Sequence, residues 1–446
     1  MLIDPQTIYP KYILVCRHLR ANRNARKLNP LASKCSTFLG YALLANPMTD
    51  TSQKSVLKNA DKVHSKNPYL CQNKKTLATF KELGVSAHFV QALAELNITK
   101  PTEIQEKAIP FLLKSQNDFI GQAQTGTGKT AAFGLPLLMK INPKSTDIQA
   151  LILAPTRELV QQIAKHLFRL TKFSTDKVFA EAVYGGEKIE LQLKALSRPT
   201  HIIVATPGRL VDLLERKAIS LKSVKTVILD EADEMLSMGF KDELTKILRG
   251  IPSGGTKWLF SATLPPSLQK LIDTYMSKDT RTVQVSKNEI VNNLIEHQYF
   301  ICEERDKLDY VMQFITTMGS SHGIIFCRTK AAVQTLTKQL ISKNIAVDAI
   351  HGDLQQKERD KVMRAFKSHK LKILIATDIS ARGIDVEDLA YVIHYQLPDQ
   401  PEYYTHRSGR TARAGKRGIS ISFVSQSEVK RIKEYEKLLN IFFRKV

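Results

Sequence analysis

Ala123-Gln124-Thr125-Gly126-Thr127-Gly128-Lys129-Thr130 stands between a short apolar segment and residues 131–140, whose apolar positions recur at helical spacing. Gly126 and Gly128 let the backbone curl so that successive N–H groups converge on phosphate oxygens, with a helix N-terminus behind them. Lys129 is placed to reach the β- and γ-phosphates, and Thr130 to hold Mg²⁺ through its hydroxyl. The general pattern opens with Gly, and Ala123 takes that place here. A Gly/Thr loop alone is ordinary turn chemistry. Gly-Lys-Thr between a strand and a helix is not, and it implies a nucleotide site in an α/β fold.

The surrounding sequence has the texture such a site needs. From Phe80 onward, short apolar runs alternate with helical patterns. Residues 150–154, 202–205, 227–229 and 258–260 are expected strands, and 324–326, 346–350, 373–376, 391–395 and 419–424 continue the series. Between them, segments such as 158–170 and 330–342 carry apolar residues at helical spacing. Strands alternating with helices imply parallel sheets flanked by helices. Two such series occur, separated by a polar stretch at 285–293. The expected domains are therefore 76–286 and 295–446, joined by a linker at 287–294 and preceded by an extension at 1–75. Within the first series, Val227-Ile228-Leu229 runs into Asp230-Glu231-Ala232-Asp233. Carboxylates at the carboxyl edge of a parallel sheet lie where ligands bind. Asp230 is expected to hold Mg²⁺, and Glu231 to orient or deprotonate the attacking water. Taken alone, an acidic strand end is often a solvated turn; paired with the phosphate loop, the catalytic reading is stronger.

The run Asp230 to Asp233 spells the signature of the DEAD-box RNA helicases, and the resemblance extends from Phe80 to about Val424. Pro101-Thr102-Glu103-Ile104-Gln105 resembles that family's adenine-reading motif, with Phe80 as its upstream aromatic. The Gln105 amide both donates and accepts, as the adenine edge requires, and Phe80 would stack on the ring. Asn97 stands where the family usually has Gly. The resemblance places RNA-backbone contacts at Thr156, Arg157, Gly185, Gly186, Thr206, Gly208 and Arg209. It places more in the second domain at Arg328, Gln356, Arg359, Thr377, Asp378, Arg382 and Gly383, with Asp385 near the ATP ribose. Ser261-Ala262-Thr263 resembles the motif linking hydrolysis to strand separation, its two hydroxyls available to Asp233; His406 joins them in coupling. His406-Arg407-Ser408-Gly409-Arg410-Thr411-Ala412-Arg413 resembles the arginine-finger motif, with Arg410 and Arg413 as the catalytic pair. Ser408 and Ala412 depart from the commoner apolar residue and Gly. The resemblance implies two tandem RecA-like domains sharing one ATP site in their cleft, with RNA held through sugar and phosphate. Trp258, Phe260 and Tyr395 lie inside apolar strands and are expected in the core.

Composition agrees with this reading. The chain is 446 residues long with a formal net charge of +23. Lys and Arg outnumber Asp and Glu by 13 to 3 in residues 1–79 and by 53 to 40 in the remainder. That excess favours a polyanionic partner, though a basic tail or solubility surface would show the same balance. No apolar run is long enough to span a bilayer, so no membrane role is expected. Five cysteines without a CxxC pair argue against a disulfide framework or zinc site and for a reducing, cytoplasmic compartment. The first 75 residues lack sustained periodicity and are expected to be disordered. Between Asp4 and Asp50 there is no acidic residue. Two readings follow: an organellar transit peptide, or translation that starts at Met48. The expected protein is a monomer that finds its RNA through protein partners, its basic segment, or little selection. A non-catalytic RNA clamp and a translocating DNA helicase are the rival readings.

Overall fold

The structure, a computed structural model, describes residues 78–124, 126–285, 294–381, 389–412 and 416–446. The 1–75 extension, residues 287–293 of the expected linker, and Thr125, Arg382, Gly383, Asp385 and Arg413 lie outside the described residues.

The first series of strands is β1 (Phe119–Gln122), β2 (Ala150–Leu153), β3 (Ala180–Val183), β4 (Ile202–Ala205), β5 (Thr226–Asp230), β6 (Thr256–Ser261) and β7 (Arg281–Gln284). The second is β8 (Ile295–Ile301), β9 (Gly323–Cys327), β10 (Val347–Ile350), β11 (Ile373–Thr377), β12 (Tyr391–His394), β13 (Gly418–Val424) and β14 (Arg444–Lys445). Each series forms one seven-stranded sheet among the described residues, and every strand pairing in these sheets is parallel. The orders are β3-β4-β2-β5-β6-β1-β7 and β10-β11-β9-β12-β13-β8-β14, the same order shifted by seven strands. The tandem RecA-like architecture is thus a repeated topology.

Parallel strands need crossover helices, and those helices bury both faces of the sheet. In the first sheet Ile152, Val204, Ile228, Trp258 and Phe260 pack on one face, and Leu151, Leu153, Ile203, Val227, Leu229 and Leu259 on the other. This alternation is the two-residue period of a strand sorted to two layers. Trp258 and Phe260 are fully buried, as expected. Tyr395 is half-buried, beneath the Lys307 ammonium at 5.3 Å. Among the described residues no helix is long and apolar enough to cross a membrane.

Candidate functional site: nucleotide cleft and RNA groove

The phosphate loop leaves β1 and enters the helix Lys129–Lys140. Gly126 and Gly128 adopt φ of +83° and +88°, the left-handed region where only glycine is unstrained. Gly128 is required for a second reason. A Cβ there would lie 2.4 Å from Gln105 Nε2. That amide donates to the Gly128 carbonyl at 2.9 Å, and its oxygen accepts from the Thr102 N–H at 3.0 Å. Gln105 therefore braces the loop and caps the helix Glu103–Lys114, a coupling that sequence reasoning missed. Within the loop, the Thr127 hydroxyl donates to the Gln124 carbonyl at 2.8 Å. Lys129 is buried, with Nζ donating to the Ala123 carbonyl at 3.1 Å, and Thr130 is half-buried beside it. Phe80 is 2% exposed and packs into the core of the first sheet. Its ring is enclosed by that core. Asn97 sits at φ +60°, which Asn tolerates better than other non-glycine residues.

At the end of β5, Asp230 is buried and its carboxyl is pushed up to about 7. Burial is the main cause and the Glu231 charge adds to it, while Lys129 opposes. Glu231 follows at φ +52°, a left-handed conformation that is costly for a residue with a Cβ and marks stored strain at a functional position. Asp233 is tied back to the strand end after β6. Its carboxylate accepts from the Thr263 N–H and hydroxyl, both at 2.8 Å. Ser261 also meets Asp233 through its hydroxyl. The hydroxyl accepts from the Asp233 N–H at 3.2 Å and donates to the Thr263 carbonyl at 2.8 Å. Burial opposes ionisation of Asp233, but His406, Lys129 and the two hydroxyls outweigh it and hold its pKa below the usual value.

The helix Pro401–Ser408 brings the second sheet's contribution to the same place. Glu231, Glu234, Tyr403, His406, Arg407 and Arg410 line one small cavity. His406 Nδ1 lies 2.7 Å from Glu234 Oε1. Burial alone would lower the His406 pKa, but the Glu234 hydrogen bond and the Glu234, Asp233 and Glu231 charges raise it. Arg407 is 1% exposed and holds Asp378 with two bonds, Nε to Oδ1 at 2.5 Å and Nη2 to Oδ2 at 2.7 Å. It also donates to the Gln396 carbonyl at 2.8 Å and lies over the Phe326 ring. Asp378, expected among the RNA contacts, is thus the ion-pair partner of this buried arginine. Ala412 has φ +57°, so the departure from Gly carries backbone strain.

Comparison with known proteins agrees with this arrangement. Residues 102–271 match the DEAD/DEAH box helicase family, and residues 306–415 match the helicase conserved C-terminal domain. The ATP-dependent RNA helicase CshA of Limosilactobacillus reuteri is 42% identical over 363 residues, 81% of this chain and 72% of that protein. The chain belongs to the DEAD-box helicase family. The DEAD-box ATP-dependent RNA helicase CshA of Geobacillus kaustophilus is 40% identical over 81% of this chain and 76% of its own length. Among solved structures, S. cerevisiae Dbp5 bound to RNA and ADP BeF3 superimposes with a TM-score of 0.75 at 33% identity, covering 82% of this chain and 95% of that one.

On another side of this DEAD-box protein, most of the expected RNA contacts gather in one open groove. Thr156, Arg157, Gly185, Thr206, Gly208, Arg209, Gln356 and Arg359 all line it. Two helices begin there, Arg157–Leu170 after Thr156 and Pro207–Glu215 after Thr206. Their N-terminal N–H groups favour anions. The Arg157 guanidinium lies over Gly186, where a Cβ would come within 2.1 Å of it. The two sheets' segments also bond each other across the groove: Arg157 Nη1 to Gln356 Oε1 at 2.6 Å, and Arg359 Nε to Glu158 Oε1 at 2.6 Å. Sequence reasoning missed Glu158 as a partner for Arg359, and missed the exposed Ile379 on the groove wall. Arg328 and Thr377 are not among the lining residues. Arg328 pairs with Asp399 at 2.9 Å, and Thr377 is buried with its hydroxyl on Ser380 at 2.9 Å.

Proposed function

We infer that this chain is an ATP-dependent RNA helicase and that hydrolysis takes place in the cleft between its two sheets. The observation that carries the site assignment is the cavity lined by Glu231 from the first series and by His406, Arg407 and Arg410 from the second. The first domain, residues 76–286, supplies the phosphate loop at 123–130 and the Gln105 brace. The second, residues 295–446, supplies Arg410, with Arg413 beyond the described residues, to balance charge on the γ-phosphate. Glu231 orients or deprotonates the attacking water.

The residues present fit a magnesium ion. Asp230 is a buried carboxylate held in part in its neutral form, which a cation beside it would ionise, and the Thr130 hydroxyl is available nearby in the loop. Asp230 and Thr130 would hold the ion, which when bound would supply neutralising charge for phosphoryl transfer. RNA lies along the groove of Thr156, Arg157, Gly208, Arg209, Gln356 and Arg359, contacted through phosphate and sugar, with little sequence preference. Arg157–Gln356 and Arg359–Glu158 form only when the two domains approach, so ATP and RNA each favour the arrangement that binds the other. A strand bent to follow that groove cannot remain in a regular duplex, and short helices open locally. The protein works as a monomer in a reducing cytoplasmic compartment.

ATP turnover measured alone, with single-stranded RNA and with DNA of the same sequence tests this reading. Strong stimulation by RNA and little by DNA is expected. No stimulation by either polymer would leave a non-catalytic clamp, and equal stimulation would leave a DNA-directed enzyme.

A further inference from the structure

The helix Pro401–Ser408 has two working faces. His406 and Arg407 point into the cleft, followed by Arg410 just beyond the helix end. Tyr404 and Ser408, four residues apart and so on one side of the helix, point into the second sheet. What they meet there is polar. Ser408 Oγ lies 2.8 Å from Ser420 Oγ on β13. Ser420 Oγ also lies 3.0 Å from His394 Nε2 at the end of β12 and 3.2 Å from the Tyr404 hydroxyl. Tyr404 in turn lies 2.6 Å from His297 Nδ1 on β8, the residue directly opposite Ser420 in the sheet. Ser408, Ser420, His394 and Tyr404 are all 2% exposed or less.

A hydroxyl has one proton and two lone pairs, so it makes three hydrogen bonds, and Ser420 has three partners. It is saturated, and it ties the helix to two strands through one atom. Burial holds both histidines below the ordinary range, His297 at about 4, and Arg407 adds to the lowering at His394. Both are therefore neutral, and the network is a buried, uncharged set of bonds. Such a network has a defined geometry that an apolar contact lacks, because any slide of the helix leaves buried polar atoms unpaired. The bland alternative is that these bonds only add stability.

We propose that Ser420, with Ser408 and Tyr404, is a positioning residue that sets the helix Pro401–Ser408 in register on the second sheet and so aims His406 and Arg410 into the cleft. Ser408 departs from the apolar residue common at that place in the family, so this chain positions its arginines by hydrogen bonds. The inference rests on the reading of Arg410 as the group that balances γ-phosphate charge.

The test uses a volume-matched pair, Ser420→Thr and Ser420→Val, in the full chain with single-stranded homopolymer RNA. The two differ only in the hydroxyl. The Thr variant should turn over within about twofold of the parent. The Val variant should lose about tenfold or more in kcat with its KM for ATP unchanged, because an aiming group acts on the transition state. Melting temperatures are recorded alongside. Equal kcat in the two variants, or a lower melting temperature in Val with unchanged kcat per folded molecule, would overturn the proposal. If neither 420 variant folds, Ser408→Ala decides: a kcat loss of about threefold or more at constant KM supports it, and an unchanged kcat overturns it. Arg410→Ala runs in parallel. If that variant keeps its turnover, the reading of the cleft has failed; if it loses turnover while Ser420→Val does not, only the positioning role has failed.

Discussion

At the carboxyl end of β1 the chain runs Ala123 to Thr130 around a cradle of backbone N–H groups. At the carboxyl end of β8, the same place in an identically ordered sheet, it runs Cys302-Glu303-Glu304-Arg305-Asp306-Lys307. Each run delivers a lysine as the first residue of the next helix, Lys129 in one and Lys307 in the other. Both are buried. Lys129 is tied to a backbone carbonyl and faces Asp230. Lys307 is already neutralised by Glu304 at 2.5 Å and lies over Tyr395. Counted from the first paired residue of each strand, Tyr395 stands where Asp230 does. The second edge thus has the lysine but no glycine to let phosphate approach, no metal-holding carboxylate, and three acids that repel phosphate. Topology provides a switch point in both sheets; the side chains decide which one binds a nucleotide. On the proposed reading, the duplicated sheet serves another use, presenting Arg410 to the nucleotide held by its neighbour.

The largest effects should come from the chemistry on the first edge. Glu231→Gln keeps the shape and loses the base, so steady-state turnover should fall by about 10²- to 10⁴-fold while ATP and RNA binding persist. A near-normal turnover number would remove Glu231 from the water-activating role.

The lysine pair sharpens the comparison further. Lys129→Ala should abolish most turnover and weaken ATP binding while leaving the melting temperature close to that of the parent. Lys307→Ala should do the reverse, costing about 1–3 kcal/mol of stability through its lost stem packing and cation–π contact, with KM for ATP unchanged. A nucleotide-affinity loss in Lys307→Ala would show that the second edge is not silent.

A smaller effect depends on pH. The His406 pKa is raised in the closed arrangement by Glu234, Asp233 and Glu231 against the opposing effect of burial. A raised value means that the His406–Glu234 pair stabilises closure fully below the ordinary histidine value of about 6.5 and loses that contribution as pH rises through the closed-state value. RNA affinity in the presence of a non-hydrolysable ATP analogue should therefore weaken by up to about tenfold per pH unit across that window. The trend should flatten in His406→Phe. An affinity that strengthens with pH would contradict the assignment.

Smaller still is the Gln105 contribution. Gln105→Ala should raise KM for ATP by about tenfold and narrow the preference over GTP, since the amide braces Gly128 and is proposed to read the base. Unchanged nucleotide preference would leave only the bracing role.

The central strands were legible because apolar runs such as Ile202–Ala205 and Ile373–Thr377 are buried on both faces. The edge strands Ala180–Val183 and Arg281–Gln284 were not, since an exposed edge needs no apolar run. Strand β8 hid behind its own chemistry: His297 and Gln298 break the run, and His297 is there to bond Tyr404. In the site, contiguous motifs could be read directly, including Gly126 to Thr130 between β1 and the helix that follows. Pairings could not. Nothing in the spacing of Gln105 and Gly128, Asp378 and Arg407, or Glu158 and Arg359 shows that they meet, because the fold brings them together across separate elements. For the same reason the enclosure of Phe80 in the core could not be read from its position in the motif.

Arg410→Ala tests most directly whether the second sheet acts on the nucleotide held by the first. RNA-stimulated turnover, ATP affinity and melting temperature are measured on one preparation. An arginine that meets the γ-phosphate only in the closed cleft stabilises the transition state without improving the first encounter with ATP. Turnover should then fall by roughly a thousandfold or more, with ATP affinity and melting temperature close to those of the parent. A stable variant with near-parental turnover would contradict the shared cleft.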